Sequence, residues 1–447
     1  MKKQWSTLAL LAGFSLTPWA ADFTVTGPDG KPLALAMVTR TAVQSATIDA
    51  SDNDYPASGL LQQGVFEHTR FSDAQGRMSL PDAPGAYRVR LRKPGYRDRV
   101  IEPDALSRPA AWRMEPETDP KALAEQRPSN AWTSTLLPGR DELRKEFMAQ
   151  CGFCHQQGSA FLRRERSAQE WDETIARMVR YGARLSSAAQ KELPAVLEAH
   201  WKEIQAHPDK VPAGTLWPQA LSGAAISELA IGDRFSQMHD LLRHSNGMVY
   251  VGDNLQDRLY EIDPQTGAYT VYRIPAEPGD ALGGLLAGRL RDFPKHETYQ
   301  GIHSLVEAPR DGHIFITPSY QRRLIEFDPR TKRFKAHAMD GGFYPHTVRV
   351  DGKDRVWFTL ALSNQVALFD RATQTFRTYD LPFRSLMERI TVKLTPLIFK
   401  LIGWGLPITN WVKVDAVSTG VPLPYGIDIT PDGTVWIARL HTQEIGR

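Results

Sequence analysis

The chain has 447 residues, a formal net charge of +3 from 54 basic and 51 acidic residues, and only two cysteines. At roughly 100–200 residues per domain, that length predicts two to four domains. With 42% hydrophobic and 23% charged residues, the composition excludes disorder, a collagen-like fibre and a polytopic membrane protein. The near balance of charge leaves no nucleic-acid footprint.

Residues 1–21 come first. Lys2 and Lys3 precede the apolar run Leu8 to Phe14, which leads into Pro18-Trp19-Ala20-Ala21. A charged, an apolar and a small-residue region in that order are the parts of a secretory signal peptide. The expectation is an exported, periplasmic protein; a retained N-terminal anchor is the alternative.

Residues 22–115 alternate apolar and polar side chains between Pro, Asp and Gly turns, which predicts short antiparallel strands. Asp29-Gly30 marks a tight turn. Asp73-Ala74-Gln75-Gly76-Arg77-Met78-Ser79-Leu80-Pro81, then Pro84-Gly85-Ala86-Tyr87 and Gly95-Tyr96, complete the pattern. It resembles the carboxypeptidase-regulatory-like β-sandwich family, which implies a spacing or docking role. Residues 116–134 are rich in Pro, Glu and Ser and read as a linker.

The two cysteines fall in Cys151-Gly152-Phe153-Cys154-His155, which reads C-x-x-C-H. That spacing is the attachment sequence of a c-type haem: two thiols form thioethers with the vinyl groups, and the next residue ligates iron. The rivals are a thioredoxin-like redox pair, which wants a βαβ unit, and half of a zinc site, which wants two more close ligands. Helices are predicted on both sides. Leu143 and Phe147 share one face before the cysteines, and Ser167 begins a helix that runs through Trp171, Ile175 and Met178. A third starts near Leu185. Residues 135–207 resemble a small monohaem cytochrome c domain. The W-x6-M spacing of Trp171 and Met178 ahead of Tyr181-Gly182 implies Met178 as the second iron ligand, with Met148, His200 and His207 as competitors.

From residue 215 a unit repeats. One copy runs from Met238-His239-Asp240 to Tyr269-Thr270-Val271-Tyr272, a second from Ile302-His303-Ser304 and a third from Pro345-His346-Thr347. A fourth begins at Tyr425-Gly426-Ile427, where Gly426 is aligned with the histidines. Four strands per unit with a turn glycine before an aromatic strand is a β-propeller blade. Residues 215–447 resemble the streptogramin (virginiamycin B) lyase-like propellers. That resemblance implies a histidine base and a magnesium-holding glutamate after the third copy's Trp357-Phe358-Thr359. His346 matches the histidine, but Leu360 stands where the carboxylate belongs. Asp253, beside His239 in the first copy, is the remaining candidate, and His239, His303 and His346 are the candidate catalytic set.

Ala225 to Leu229 reads as an outer strand with no inner strands before it, and the last copy breaks off at Arg447. The expectation is therefore a fragment or a truncated reading frame, or a ring completed by a partner chain. An apolar insertion at 383–413 suggests a membrane-surface or protein contact, or a lid, or a loop packed on the propeller side; a second insertion at 275–300 could flank the same opening. The fold class expected is multidomain: a β-sandwich, a small all-α cytochrome c domain and an incomplete β-propeller. The leading function is single-electron transfer through one covalent haem c, with a redox partner protein or a small-molecule donor or acceptor. In this reading the chain is an oxidoreductase component whose propeller binds substrate or partner. The alternatives are a propeller lyase or hydrolase with an accessory haem, and a non-catalytic binding or sensor scaffold.

Overall fold

The structure is a computed structural model. It describes residues 21–447 except 43–45, 50–59, 64–65, 81–85, 103–110, 153–154, 181–182, 184, 215–216, 234–235, 287–297, 405, 407–421, 441 and 443. The signal-peptide segment therefore lies outside the described residues. The chain is mostly β-sheet and divides into two compact units. One holds residues up to 44 with 65–126 and 215–228; the other holds 45–64, 127–214 and 229–447.

The first unit uses strands β1 (Ala21–Thr26) and β2 (Met37–Ala42). After the separate hairpin of β3 (Ala46–Asp49) and β4 (Leu60–Gln63), it resumes with β5 (Phe66–Phe71), β6 (Arg77–Leu80), β7 (Tyr87–Arg92), β8 (Arg99–Ile101) and β9 (Ala111–Arg113). Two sheets form, ordered β6-β1-β9 and β10-β5-β2-β7-β8, where β10 is Ala225–Leu229. Alternation along the strands points Phe23, Val25, Met78, Leu80 and Trp112 of one sheet and Val38, Val89, Leu91 and Ile101 of the other into one core. The Asp29-Gly30 turn closes with Gly30 at φ +77°, a conformation that costs glycine least. At Gly76 a Cβ would lie 2.4 Å from the Val25 carbonyl oxygen, so the turn after Asp73 requires glycine for space as well as for φ. The placement of β10 corrects the sequence reading. Ala225 to Leu229 is an edge strand beside β5, not the outer strand of a propeller blade.

In the second unit, residues read as linker fold into α1 (Pro120–Glu125) and α2 (Ser129–Ser134), although α1 itself falls at the end of the first unit. The cause is local: Asp119 accepts from the backbone N–H groups of Lys121 and Ala122, and Pro120 occupies the first helical turn, where its missing N–H costs nothing. Three longer helices follow, α3 (Asp141–Cys151), α4 (Ala168–Arg180) and α5 (Ser187–Ala206). Phe147, Trp171, Ile175, Leu193, Leu197 and Trp201 are buried among them. Caps fix where they start. Glu170 Oε2 accepts from Ser167 N at 2.7 Å while Ser167 Oγ accepts from Glu170 N at 3.2 Å, a reciprocal capping box. Ser186 caps α5 and is itself held by Glu146 of α3 through its hydroxyl at 2.9 Å.

Three four-stranded antiparallel sheets and one three-stranded sheet follow. They are β11 (Met238–Arg243) to β14 (Tyr269–Arg273) through β12 (Val249–Asp253) and β13 (Arg258–Ile262); β15 (Ile302–Glu307) to β18 (Arg333–Ala338) through β16 (Ile314–Pro318) and β17 (Arg323–Asp328); β19 (Pro345–Val350) to β22 (Thr375–Asp380) through β20 (Arg355–Leu360) and β21 (Gln365–Asp370); and β23 (Pro424–Ile429), β24 (Val435–Arg439) and β25 (Glu444–Gly446). The innermost strands β11, β15, β19 and β23 lie side by side in that order. Apolar layers fill the spaces between consecutive sheets, with Tyr250, Ile302, Leu305 and Phe327 in one and Phe315, Val348, Phe358 and Phe369 in the next. This is propeller-like stacking of blades.

The described part of the insertion after β22 is largely helical. It forms α6 (Leu386–Gly403), which runs through Pro396 and touches the short 3-10 turn Gly284–Leu286 of the other insertion. Both insertions join an outermost strand to the next innermost one, so topology delivers them to the same face. No helix among the described residues is long and apolar enough to cross a membrane.

Candidate functional site

Two groups of the expected site residues can be placed. The first is the C-x-x-C-H segment. Cys151 is the last residue of α3 and half-buried; Cys154 lies outside the described residues. The His155 N–H donates to the Cys151 carbonyl at 3.0 Å, and His155 is exposed beyond the helix end. A Cβ on Gly152 would lie 2.4 Å from the Met148 carbonyl oxygen, and one on Gly158 would lie 1.8 Å from that of Ser129. The segment leaving the cysteines is thus pressed against α2. Gln205 Nε2 donates to the Arg163 carbonyl at 2.8 Å, and the Arg163 guanidinium lies 4.0 Å over the Trp132 ring.

Met178 is half-buried on α4, and its carbonyl accepts from Ala183 N at 2.9 Å; Tyr181 and Gly182 lie outside the described residues. The competitors are placed differently. Met148 is half-buried on α3 and His207 is exposed. His200 has its Nε2 3.4 Å from the Thr135 hydroxyl, and burial pushes it down to about 4. Among the described residues near Met178, Trp171 Nε1, on a side chain 4% exposed, is a buried donor with no partner.

The second group is the histidine row. Each innermost strand slips register at one point. The slips fall between Met238 and Asp240, Ile302 and Ser304, Pro345 and Val348, and Pro424 and Gly426. The bulged residues include His239, His303, His346 and Tyr425. A bulge inserts one unpaired residue and re-aims its side chain, and the four rings form one continuous row. Centroids are 3.9 Å apart for His239–His303, 3.6 Å for His303–His346 and 3.6 Å for His346–Tyr425. This corrects the sequence alignment, in which Gly426 held the fourth position; Tyr425 holds it. The parallel dipeptides Pro345-His346 and Pro424-Tyr425 were the signal that could have shown it.

The row stitches sheets together. His239 Nδ1 donates to the His303 carbonyl at 2.9 Å, and His346 Nδ1 donates to the Tyr425 carbonyl at 3.0 Å. Because a carbonyl only accepts, both rings carry their proton on Nδ1. The Tyr425 carbonyl also accepts from Thr347 and Thr359 hydroxyls at 2.7 and 3.1 Å. Asn254 Nδ2 donates to the Ile302 carbonyl at 2.7 Å in the same manner. Burial, reinforced by the neighbouring His346 and His239, holds His303 far below the usual histidine range, and burial takes His346 down to about 3. Such imidazoles stay neutral at physiological pH and are weak bases.

Asp253 is fully buried at the end of β12. Its Oδ1 accepts from the backbone N–H groups of Gln237, Leu255 and Gln256 at 2.9, 3.2 and 3.2 Å, and Tyr260 donates to Oδ2 at 3.3 Å. That carboxylate holds the loop. Leu360 is fully buried in the apolar layer with Phe358. Among the described residues, no group of three or more His, Cys, Asp or Glu is placed to hold a metal ion. Residues that sequence reasoning missed are also structural: Asp257, buried at the mouth of the second insertion, accepts from Thr298 Oγ1 at 2.7 Å and from Tyr299, Gln300 and Gly301 N at 2.6, 2.9 and 2.9 Å.

No protein-family profile matches the chain, and no curated protein sequence does. Among solved structures the chain is similar to a catalytically inactive virginiamycin B lyase from Staphylococcus aureus in complex with quinupristin, at 14% identity over 51% of this chain and 57% of that one, TM-score 0.35. It is also similar to a streptogramin B lyase, at 16% identity over 50% and 58%, TM-score 0.34. A third is the extracellular domain of a one-component system from B. thetaiotaomicron, at 12% identity over 47% and 21%, TM-score 0.30. The chain thus spans under two thirds of the length of the lyases it resembles.

Proposed function

We propose that the chain is an exported, periplasmic binding scaffold that carries one covalent c-type haem, with the propeller-like sheets presenting a surface for a substrate or a redox partner protein. The observation that carries the haem is Cys151-Gly152-Phe153-Cys154-His155 at the end of α3. The residues present suit the group. Cys151 and Cys154 would tether it as thioethers, and His155 and Met178 would ligate its iron. The unpartnered Trp171 Nε1, seven residues before Met178, is a buried donor that an acidic cofactor edge would satisfy. A haem held this way supplies reversible one-electron transfer, and a thioether ligand raises the potential. The chain's own part is to hold, bury and orient: α3 ends the first tether, Gly158 lets the following segment close on α2, and α4 carries Met178. On this reading residues 135–207 serve as the cytochrome c part of the chain, and residues 22–115 as a carboxypeptidase-regulatory-like spacer.

The scaffold reading of the sheets is favoured over a lyase or hydrolase by one observation. His239 and His346 bond neighbouring blades through Nδ1 and Asp253 holds a loop, with burial keeping His346 a weak base at neutral pH. The test is optical. Full-length protein from a host that attaches c-type haem should show a dithionite-reducible haem spectrum that survives denaturation. Cys151→Ala with Cys154→Ala should abolish it. Wild-type protein without such a spectrum overturns the proposal. Met178→Ala should lower the potential and change the oxidised spectrum; unchanged values remove Met178 as a ligand.

A further inference from the structure

One feature is used by neither the haem segment nor the histidine row: the outer face of α6. The helix start is capped by Ser385 Oγ accepting from Glu388 N at 3.1 Å, and the Glu388 carboxylate accepts from Arg384 N at 2.7 Å. Glu388, Val392 and Thr395 are buried, one stripe at helical spacing. The opposite stripe is apolar and exposed: Leu386 at 73%, Ile390, Leu394, Leu397 and Trp404 at 67%. Leu386, Ile390, Leu394 and Leu397 recur every three or four residues, half-buried Leu401 continues the spacing, and Trp404 follows the helix end, so the ridge is about 27 Å long. Exposed Arg389, Lys393 and Lys400 line one flank of the ridge, and the Lys400 ammonium lies 5.3 Å over the Trp404 ring. The helix's single acid is Glu388, on the packed side.

We propose that this ridge docks the protein on an anionic phospholipid bilayer. Charge complementarity selects that occupant. Protein interfaces deplete lysine, and an acidic protein partner would meet an apolar ridge before it met the cations. A helix lying in the headgroup region has the opposite requirement: apolar and Trp side chains sunk toward the acyl chains, with Lys and Arg at the headgroup level. Pro396 and the length of α6 suit lying on a bilayer, not crossing it. The inference is independent of the haem.

The test is co-sedimentation of the full chain with vesicles of mixed phosphatidylglycerol and phosphatidylcholine, against pure phosphatidylcholine. Binding should favour the anionic vesicles by about a hundredfold, about fivefold for each of the three cations, and should fall with added salt. Lys393→Ala with Lys400→Ala should weaken it by about 25-fold. Leu394→Asp with Leu397→Asp should abolish it at an unchanged circular dichroism spectrum. If the aspartates unfold the chain, the lysine pair alone decides. Quenching of tryptophan fluorescence by brominated lipid should drop in Trp404→Phe. Equal binding to both vesicle types, no binding to either, or undiminished binding by the aspartate variant overturns the proposal. So does a wild-type dimer that the aspartates dissociate, because a second copy then covers the ridge.

Discussion

The helical segment around Cys151 and the sheets around His303 solve the problem of polar groups in different ways. In the helical segment the caps are local, Ser167 with Glu170 and Ser186 with its own helix, while bonds such as Glu146 to Ser186 and Gln205 to Arg163 reach further. Its buried residues are nearly all apolar. In the sheets, polar side chains bridge segments far apart in sequence, several of them to buried partners. His239 reaches His303, His346 reaches Tyr425, Lys332 reaches Glu261 at 2.7 Å, and Arg371 reaches Asp311 at 2.5 Å. Local caps are legible in a sequence because partners are three residues apart. Long-range bridges are not, and they are also the part most exposed to acid.

That difference is sharpest under titration. His303 and His346 are both held below their unfolded value near 6.5 because burial disfavours the imidazolium. An unfolded chain takes up protons at these residues and the folded one does not. Their contribution is therefore fully present above pH 6.5 and is lost as pH falls toward the folded value, about 3 for His346. By pH about 4.5 the loss for His346 alone is about 3 kcal/mol, with His303 acting in the same direction. Glu326, lowered to about 2 where His337 and His313 face it, adds its own loss only below the ordinary glutamate range. Urea unfolding followed by region-resolved hydrogen exchange should show the sheets around β15 and β19 losing protection between pH 6.5 and 4.5. His346→Gln should flatten that limb. Among the described residues of the helical segment, His200 at about 4 is comparable, and the segment should yield less. Equal loss in both regions would break the comparison.

Much of the blade order was legible, because each copy repeats the same run of short strands and turn glycines, with Gly247, Gly312 and Gly433 at positive φ. Tyr425 was not, since a bulge shifts register without changing residue type, and an aromatic ring replaces the imidazole. The partner of β10 was not either. A five-residue strand carries no record of which edge it joins, and this edge is over 150 positions back at β5. The α6 helix was hidden by Pro396, which reads as a breaker; its lost hydrogen bond falls within a helix whose start is fixed by Ser385 and Glu388. In the candidate site the Cys151–His155 spacing was plain, whereas Asp253 invited a metal role that only its four hydrogen bonds argue against.

The helical segment can be probed where it departs from purely local order. Gly158 approaches Ser129 so closely that any side chain must displace α2 or the segment that leaves His155. Gly158→Ala should cost about 2 kcal/mol, in the range of overpacking substitutions. The measure is the urea midpoint at pH 7, well away from the imidazole limb. A neutral outcome would mean that the segment is free to move off α2, and that the tethering region is less fixed than the sheets.

The smallest effect tests local order itself. Ser167→Ala removes the hydroxyl that accepts from Glu170 N and leaves Glu170 still able to accept from the backbone of residue 167. Half of the capping box persists, so the cost should be about 1 kcal/mol. The orphaned N–H lies in an exposed first turn, where water can replace the hydroxyl. Fraying should therefore stay within the first turn of α4, visible as faster exchange at 168–171 with Met178 unaffected. If exchange rises along the whole of α4 instead, the helix depends on its cap for more than its first turn. The contrast between a locally ordered helical segment and cross-linked sheets would then be stronger than the caps alone suggest.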